Sequence, residues 1–209
     1  MDAYRLSRVT DEPHITDRLF GAIESRVRNL RFGPVASSGW GGGLRSPISW
    51  EAMTLRSGPH SAAHEKRYGA DILGVFSADL PSYRISKGFL AQAKRAEPGA
   101  NFDRTEWDRL IAQCERMLMI TPDSFVVAYS KKQGVRFFSA LAVTSLKGRD
   151  LFELYSMATR TFFERHFQSF IGDRRLDKPE ISVLNRLRAD EPADTRPSAH
   201  VLSITARLA

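Results

Sequence analysis

Residues 69–77 and 89–95 constrain the fold of this chain more than any other stretch, because each alternates its side chains with the period of a β-strand. In the first, Asp71, Leu73 and Val75 share one face, and Ala70, Ile72, Gly74 and Phe76 share the other. In the second, Leu90, Gln92 and Lys94 oppose Phe89, Ala91, Ala93 and Arg95. Pairing the two segments in a sheet brings Asp71, Gln92 and Lys94 onto one surface. The connection 77–83, with Asp79, Pro81 and Ser82, has the turn chemistry of a hairpin loop. An antiparallel pair is the simplest expectation.

Helical periodicity flanks this pair. Residues 10–30 place Ile15, Leu19, Ala22, Ile23 and Leu30 at helical spacing, with Pro13 near the start, where a missing N–H costs little. Residues 48–55 have the character of a first strand, and 56–67, with Gly58 and Pro59, that of a loop. Residues 103–119 predict a helix whose Asp103 and Glu106 resemble a capping box and whose buried stripe is Trp107, Leu110, Ile111, Cys114 and Leu118. A strand at 125–130, a basic turn at Lys131, Lys132, Gln133 and Gly134, and a strand at 135–143 follow. Residues 150–171 predict one long helix, and 200–208 a last edge strand after a loop marked by Pro192 and Pro197. The pattern is that of an α/β chain with a mixed central sheet flanked by helices. With 209 residues, 42% of them hydrophobic, one sizeable core is expected. A single domain over 1–209 follows, with its core at 14–143 and a helix-and-strand addition at 150–209.

An acid on one strand, with a polar residue and a lysine two apart on the next, can hold a divalent metal against a phosphodiester and steady an attacking water. Taken singly, an Asp after Gly-Ala is an ordinary strand-edge residue, and a lone Lys usually points to solvent; the conjunction carries the argument. Gly69-Ala70-Asp71 followed by Gln92-Ala93-Lys94 resembles the PD-(D/E)XK nuclease superfamily, most closely its Mrr-like branch, where Gln replaces the acid of the last motif. The resemblance spans residues 14–130. It implies a restriction-endonuclease-like αβββαβ core and a nuclease dependent on Mg²⁺ or Mn²⁺. It further implies that Asp71 is a metal ligand, that Lys94 positions or activates the water, that Gln92 stands in for the acid, and that the Ala93 carbonyl completes the metal shell. Because Gln92 carries no charge, a further carboxylate is wanted. Glu24, on the helical row of Phe20 and Val27, and Glu65, six positions before Asp71, are both candidates. The same resemblance implies defence against foreign DNA and a homodimer able to cut both strands; a separate recognition or activating element, where one is needed, would come from a partner.

The net charge of +7 suits a polyanionic partner, DNA or RNA, bound through phosphates in a salt-sensitive manner, and the resemblance puts DNA before RNA. Arg95, Lys87, Lys131 and Lys132 are the expected contacts, and Arg160, Arg165, Arg174, Arg175 and Lys178 read better as solvated. A catalytically inactive nucleic-acid-binding or assembly module on the same fold is the alternative; an unrelated α/β protein with an Asp71–Lys94 cross-strand ion pair is a third. The single cysteine, Cys114, excludes an internal disulfide and reads as core. The five histidines contain no His-Glu-x-x-His pattern, and Gly58-Pro59 argues against a helix carrying His60 and His64. Gly39-Trp40-Gly41-Gly42-Gly43 lacks the Gly-Lys-Ser/Thr of a phosphate-binding loop. No apolar run reaches membrane-spanning length and the first residues lead into no signal-peptide core, so a cytoplasmic protein without a membrane partner is expected.

Overall fold

The structure is a computed structural model that describes residues 12–28, 47–55 and 61–189. Six strands form one mixed sheet in sequential order: β1 (Ile48–Thr54), β2 (Ile72–Leu80), β3 (Tyr83–Arg95), β4 (Ser124–Ser130), β5 (Gly134–Ser139) and β6 (Met157–Ala158). All neighbours are antiparallel except β3 and β4, which are parallel. A parallel neighbour needs a crossover connection, and the helix α3 (Arg104–Leu118) supplies it. The α/β expectation holds at this level, as a mixed sheet with helices on both faces.

Alternation divides the core into two layers. On one face Ile72, Phe76, Phe89, Ala91, Ala93, Phe125, Val127 and Phe137 meet Ile15, Phe20 and Val27 of α1 (Glu12–Arg28) and Phe162 and Phe163 of α5 (Thr159–Phe167). On the other, Leu73, Val75, Leu90, Val126, Ala128 and Phe138 meet Trp107, Leu110, Cys114 and Met117 of α3. Tyr68 of α2 (Ser61–Tyr68), Ala140 and Val143 of α4 (Ala140–Thr144), and Val183, Leu184 and Leu187 of α6 (Ile181–Ala189) join this second layer. The strand β4 is buried along its whole length, the expected condition of a near-continuous apolar run in the middle of a sheet covered on both sides. Asp103 caps α3 as its spacing predicts, its carboxylate accepting the Glu106 N–H at 2.8 Å.

Several boundaries differ from the sequence expectations. The polar connection 77–83 is mostly strand: β2 runs to Leu80 and pairs directly with Tyr83, leaving a tight turn at Pro81 and Ser82. Ser77 and Ser86 hydrogen-bond across this hairpin at 2.8 Å, and Asp79 pairs with Arg84 at 2.6 Å, so residues with turn chemistry form polar cross-strand pairs instead. Residues 61–68 are helical, and His64 lies in α2. Gly58 and Pro59 precede its start, where breakers are compatible with a helix. The expected strand 135–143 ends at Ser139 and continues as α4, because a short apolar run fits either a buried strand or a buried helix.

The single helix expected over 150–171 is broken. The Asp150 carboxylate accepts the Phe152 N–H at 2.9 Å and the Gly99 N–H at 2.7 Å, fixing a 3₁₀ turn at Leu151–Glu153. Met157 and Ala158 then pair with Phe137 and Arg136 as β6 before α5 begins. The sequence reading does not anticipate α6. Trp40 with its glycines, His60 and the run 200–208 lie outside the described residues.

Candidate active site

Gly69 sets the geometry at the start of β2. It has φ +74°, and a Cβ there would collide with the carbonyl oxygen of Gln113 on α3, so only glycine lets the helix pass this close. Two residues later, the Asp71 backbone joins both neighbours: its N–H donates to the Ala91 carbonyl at 2.9 Å and its carbonyl accepts the Leu55 N–H at 2.7 Å. Its side chain then turns toward β3. Asp71 Oδ2 accepts the Ala93 N–H at 2.9 Å and the Gln92 Nε2–H at 2.5 Å. The register places Ile72 opposite Ala91, so Asp71 stands opposite Gln92, as the alternation of the two segments requires.

This centre is enclosed. Asp71 is 1% exposed, and Gln92 and Ala93 are 0% exposed. Gln92 Nε2 lies 3.3 Å from the Ala93 carbonyl oxygen, while Gln92 Oε1 is buried with no hydrogen-bond donor among the described residues. Gln113, on the buried stripe of α3 beside Gly69, is a second buried amide in this layer. The sequence reading does not single out Gln113; a polar residue between Leu110 and Cys114 on an apolar stripe is the available signal. Lys94 shares the face of Gln92. It is half-buried, its charge is felt at the Cys114 thiol on α3, and its ammonium has no acceptor among the described residues. The thiol itself is pushed up to about 12 by burial, against the pull of Lys94, which agrees with Cys114 as a core residue.

The candidate carboxylates fare differently. On α1, Asp17 accepts a hydrogen bond from the Thr54 hydroxyl at 3.3 Å, and Phe20 stacks on Trp50 with centroids 5.7 Å apart. The helix therefore runs antiparallel to β1, from the Thr54 end, where Ile72 pairs, toward the Ile48 end. Glu24, seven residues beyond Asp17, is carried about 10 Å further from the Asp71 end. Moreover, α1 covers the opposite face of the sheet, and the Glu24 carboxylate pairs with Arg28 at 2.5 Å. Glu24 is thus not a neighbour of Asp71, and the acid that α1 brings to that end is Asp17. The side chain of Glu65 lies outside the described residues; its helix ends at Tyr68, immediately before Gly69.

Among the described residues no three His, Cys, Asp or Glu side chains gather as a metal cluster. The oxygens at this centre are the Asp71 carboxylate and the Ala93 carbonyl, which both meet the Gln92 amide nitrogen, and the orphaned Oε1 on the other arm of that amide. An oxygen-only set suits a hard divalent cation, and a buried acceptor without a donor is the kind of group such a cation satisfies. The set fits Mg²⁺ or Mn²⁺ in donor type, with one formal negative charge.

Of the expected nucleic-acid contacts, Lys87 is excluded. It is 1% exposed, and its ammonium donates to the carbonyls of His166 and Ile171, the latter at 2.7 Å. Arg95, Lys131 and Lys132 are exposed at the adjoining ends of β3 and β4. Glu97 organises this corner, its carboxylate accepting the Ser130 hydroxyl at 2.7 Å and the N–H groups of Lys131 and Lys132 at 2.6 and 3.3 Å. Partial burial raises the Glu97 carboxyl, but these hydrogen bonds and the Lys132 charge outweigh it and hold it below the usual carboxylate range. A surface hollow of about 230 Å³ opens beside it, lined by Arg95, Asn101, Phe102 and Glu106 among others.

No helix among the described residues is long and apolar enough to cross a membrane. Comparison with known proteins returns no match: no family model, no curated protein and no solved structure matches the chain.

Proposed function

We propose that this protein is a metal-dependent nuclease acting on phosphodiester bonds of nucleic acid, DNA in the first instance. The observation that carries the reading is the contact between Asp71 and Gln92 across β2 and β3, at 2.5 Å, with Lys94 on the same face two residues on. The order α1, β1, β2, β3, α3, β4, interrupted by the short α2, supports a restriction-endonuclease-like core. In this reading Asp71 Oδ, the Ala93 carbonyl and Gln92 Oε1 would hold Mg²⁺ or Mn²⁺, which supplies Lewis-acid polarisation of the phosphoryl group and a water of lowered pKa. Lys94 places positive charge where non-bridging phosphate oxygens gain negative charge. Gln92 fixes the Asp71 carboxylate, and the α3 layer keeps bulk water off the Asp71 side of the sheet.

The test is cleavage of supercoiled plasmid, linear duplex, single-stranded DNA and RNA with Mg²⁺, Mn²⁺ or EDTA, beside Asp71→Asn and Lys94→Ala. Metal-dependent cutting that both substitutions abolish is expected. Undiminished cutting by either variant would overturn the assignment of that residue.

A second reading, a nucleic-acid-binding or assembly module without catalysis, is favoured by one observation. Asp71 Oδ2 already accepts from both Ala93 and Gln92 inside the sheet, so the carboxylate has a structural duty of its own. Thermal melting with Mn²⁺ separates the two, since a ligand that binds only the folded state raises its stability. A gain that Asp71→Asn removes supports the nuclease; no gain, together with salt-sensitive nucleic-acid binding, supports the module.

A further inference from the structure

Lys94 belongs to a row of four residues directly opposite one another across the sheet: Lys94 on β3, Ala128 on β4, Arg136 on β5 and Ala158 on β6. The row lies on the face of Gln92 and Phe138, because Ala128 is in the α3 layer while Phe137, the neighbour of Arg136, is in the opposite one. Two strand spacings, about 9.5 Å, separate the backbones carrying the two cations. A buried methyl group, that of Ala128, stands between them.

These two cations lack what several other described arginines have. Arg28, Arg84, Arg160, Arg175 and Arg186 each meet a carboxylate. Lys94 and Arg136 meet no acceptor among the described residues. Arg136 is half-buried, and its Nε–H is shut off from water with no partner among those residues. A guanidinium donor removed from water and left unpaired is unfavourable, and two like charges on one face reinforce each other's field. An anion between or beside them relieves both costs. Guanidinium matches a phosphate by its planar fork of donors, and ammonium matches one as a point charge.

We propose that Lys94 and Arg136 form a two-cation phosphate grip, with Lys94 on the phosphodiester beside Asp71 and Arg136 on a neighbouring phosphate of the same strand. The ligand is therefore a polynucleotide strand carrying at least two phosphates, not a mononucleotide. The identity of the phosphate at Lys94 rests on the nuclease reading above, whereas the grip is tested by binding alone.

The experiment is fluorescence-anisotropy titration of labelled single-stranded and duplex 20-mers in EDTA over a NaCl series. It uses the wild type, Arg136→Gln, Arg136→Lys, Lys94→Gln and, as a control on a distant exposed pair, Arg104→Gln, with thermal melting to show that each is folded. Removing one protein–phosphate contact lowers the slope of log K against log salt by about 0.7 for single strands and 0.9 for duplex. Arg136→Gln and Lys94→Gln are each expected to lower the slope by that amount, Arg136→Lys to restore the slope without full affinity, and Arg104→Gln to change neither. A folded Arg136→Gln with unaltered slope and affinity, effective competition by a mononucleotide, or a wild type that binds no strand would overturn the grip. If the wild type cuts DNA but its slope is indifferent to Arg136, the grip falls and the nuclease stands. If the slope drops as expected and no condition gives cutting, the nuclease falls and the grip stands.

Discussion

Lys87 and Lys94 lie seven residues apart on the same strand, and the sheet sends them to opposite faces and opposite duties. Lys87 is sealed into the layer of α1 and α5. Its ammonium closes the end of α5 by donating to the His166 and Ile171 carbonyls, and it lies 5.9 Å from the centre of the Phe76 ring. Lys94 faces α3, keeps contact with solvent and has no acceptor among the described residues. A lysine wrapped in carbonyls belongs to the architecture, while one on the face of a buried carboxylate, with its own donors unclaimed, is available to a ligand. The distinction rests on partners, and β3 alternation alone assigns only the face.

Stability should show the largest contrast. Lys87→Ala removes a long buried side chain and its two hydrogen bonds, leaving the His166 carbonyl with the Ser169 N–H and the Ile171 carbonyl with the His166 ring nitrogen, and a loss of about 2–5 kcal/mol is expected in urea denaturation. Lys94→Ala should cost under about 1 kcal/mol while abolishing the activity proposed for it. Equal losses at the two positions would erase the comparison.

Asp71 allows a finer cut at the same end of the sheet. Asp71→Ala leaves the Ala93 N–H without its acceptor inside the sheet, and a loss of about 1–3 kcal/mol is expected. Asp71→Asn keeps an oxygen there and should retain most of that stability. If the two substitutions destabilise equally, the Ala93 bond is not what holds this strand end.

A further contrast concerns pH. Burial holds the His166 imidazole down at about 3 instead of 6.5; the Ile171 carbonyl opposes the shift and the Lys87 charge adds to it. Between those values the unfolded chain binds the proton and the folded chain does not, so stability falls as pH drops from 6.5 toward 3. Burial also lowers Lys87 to about 8 from 10.5, with Asp123 pulling it back up and Arg174 adding to the fall. Over that window the unfolded chain again binds more protons, so this group adds stability as pH rises from 8 toward 10.5. Urea midpoints at about pH 4, 7 and 9.5 for the wild type, His166→Phe and Lys87→Met check both signs. A steep acid limb that survives in His166→Phe would move the cause elsewhere.

The parts of this fold legible in the sequence are those set by local period or local hydrogen bonding. Alternation puts Asp71, Gln92 and Lys94 on one face, the Asp103–Glu106 spacing marks the start of α3, and the helical stripe identifies Cys114 as core. The hairpin tip is misleading because Ser77 and Asp79, which look like turn residues when their partners are unknown, make cross-strand polar pairs with Ser86 and Arg84. The helix expected over 150–171 fails because Asp150 is claimed by Gly99, fifty-one positions away, and Met157 by the edge of β5.

By itself, the sequence determined which residues share a face, since side-chain direction follows from backbone period alone. Which faces are covered, and by what, belonged to the tertiary structure. The direction in which α1 crosses β1 moved Glu24 away from Asp71 and brought Asp17 to that end, and the close passage of α3 over Gly69 enclosed Asp71 and Gln113. The closure of α5 around Lys87 turned a basic residue into an internal one. Each of these depends on contacts between segments far apart in the chain, and no local pattern carries the angle or direction at which two such segments pack.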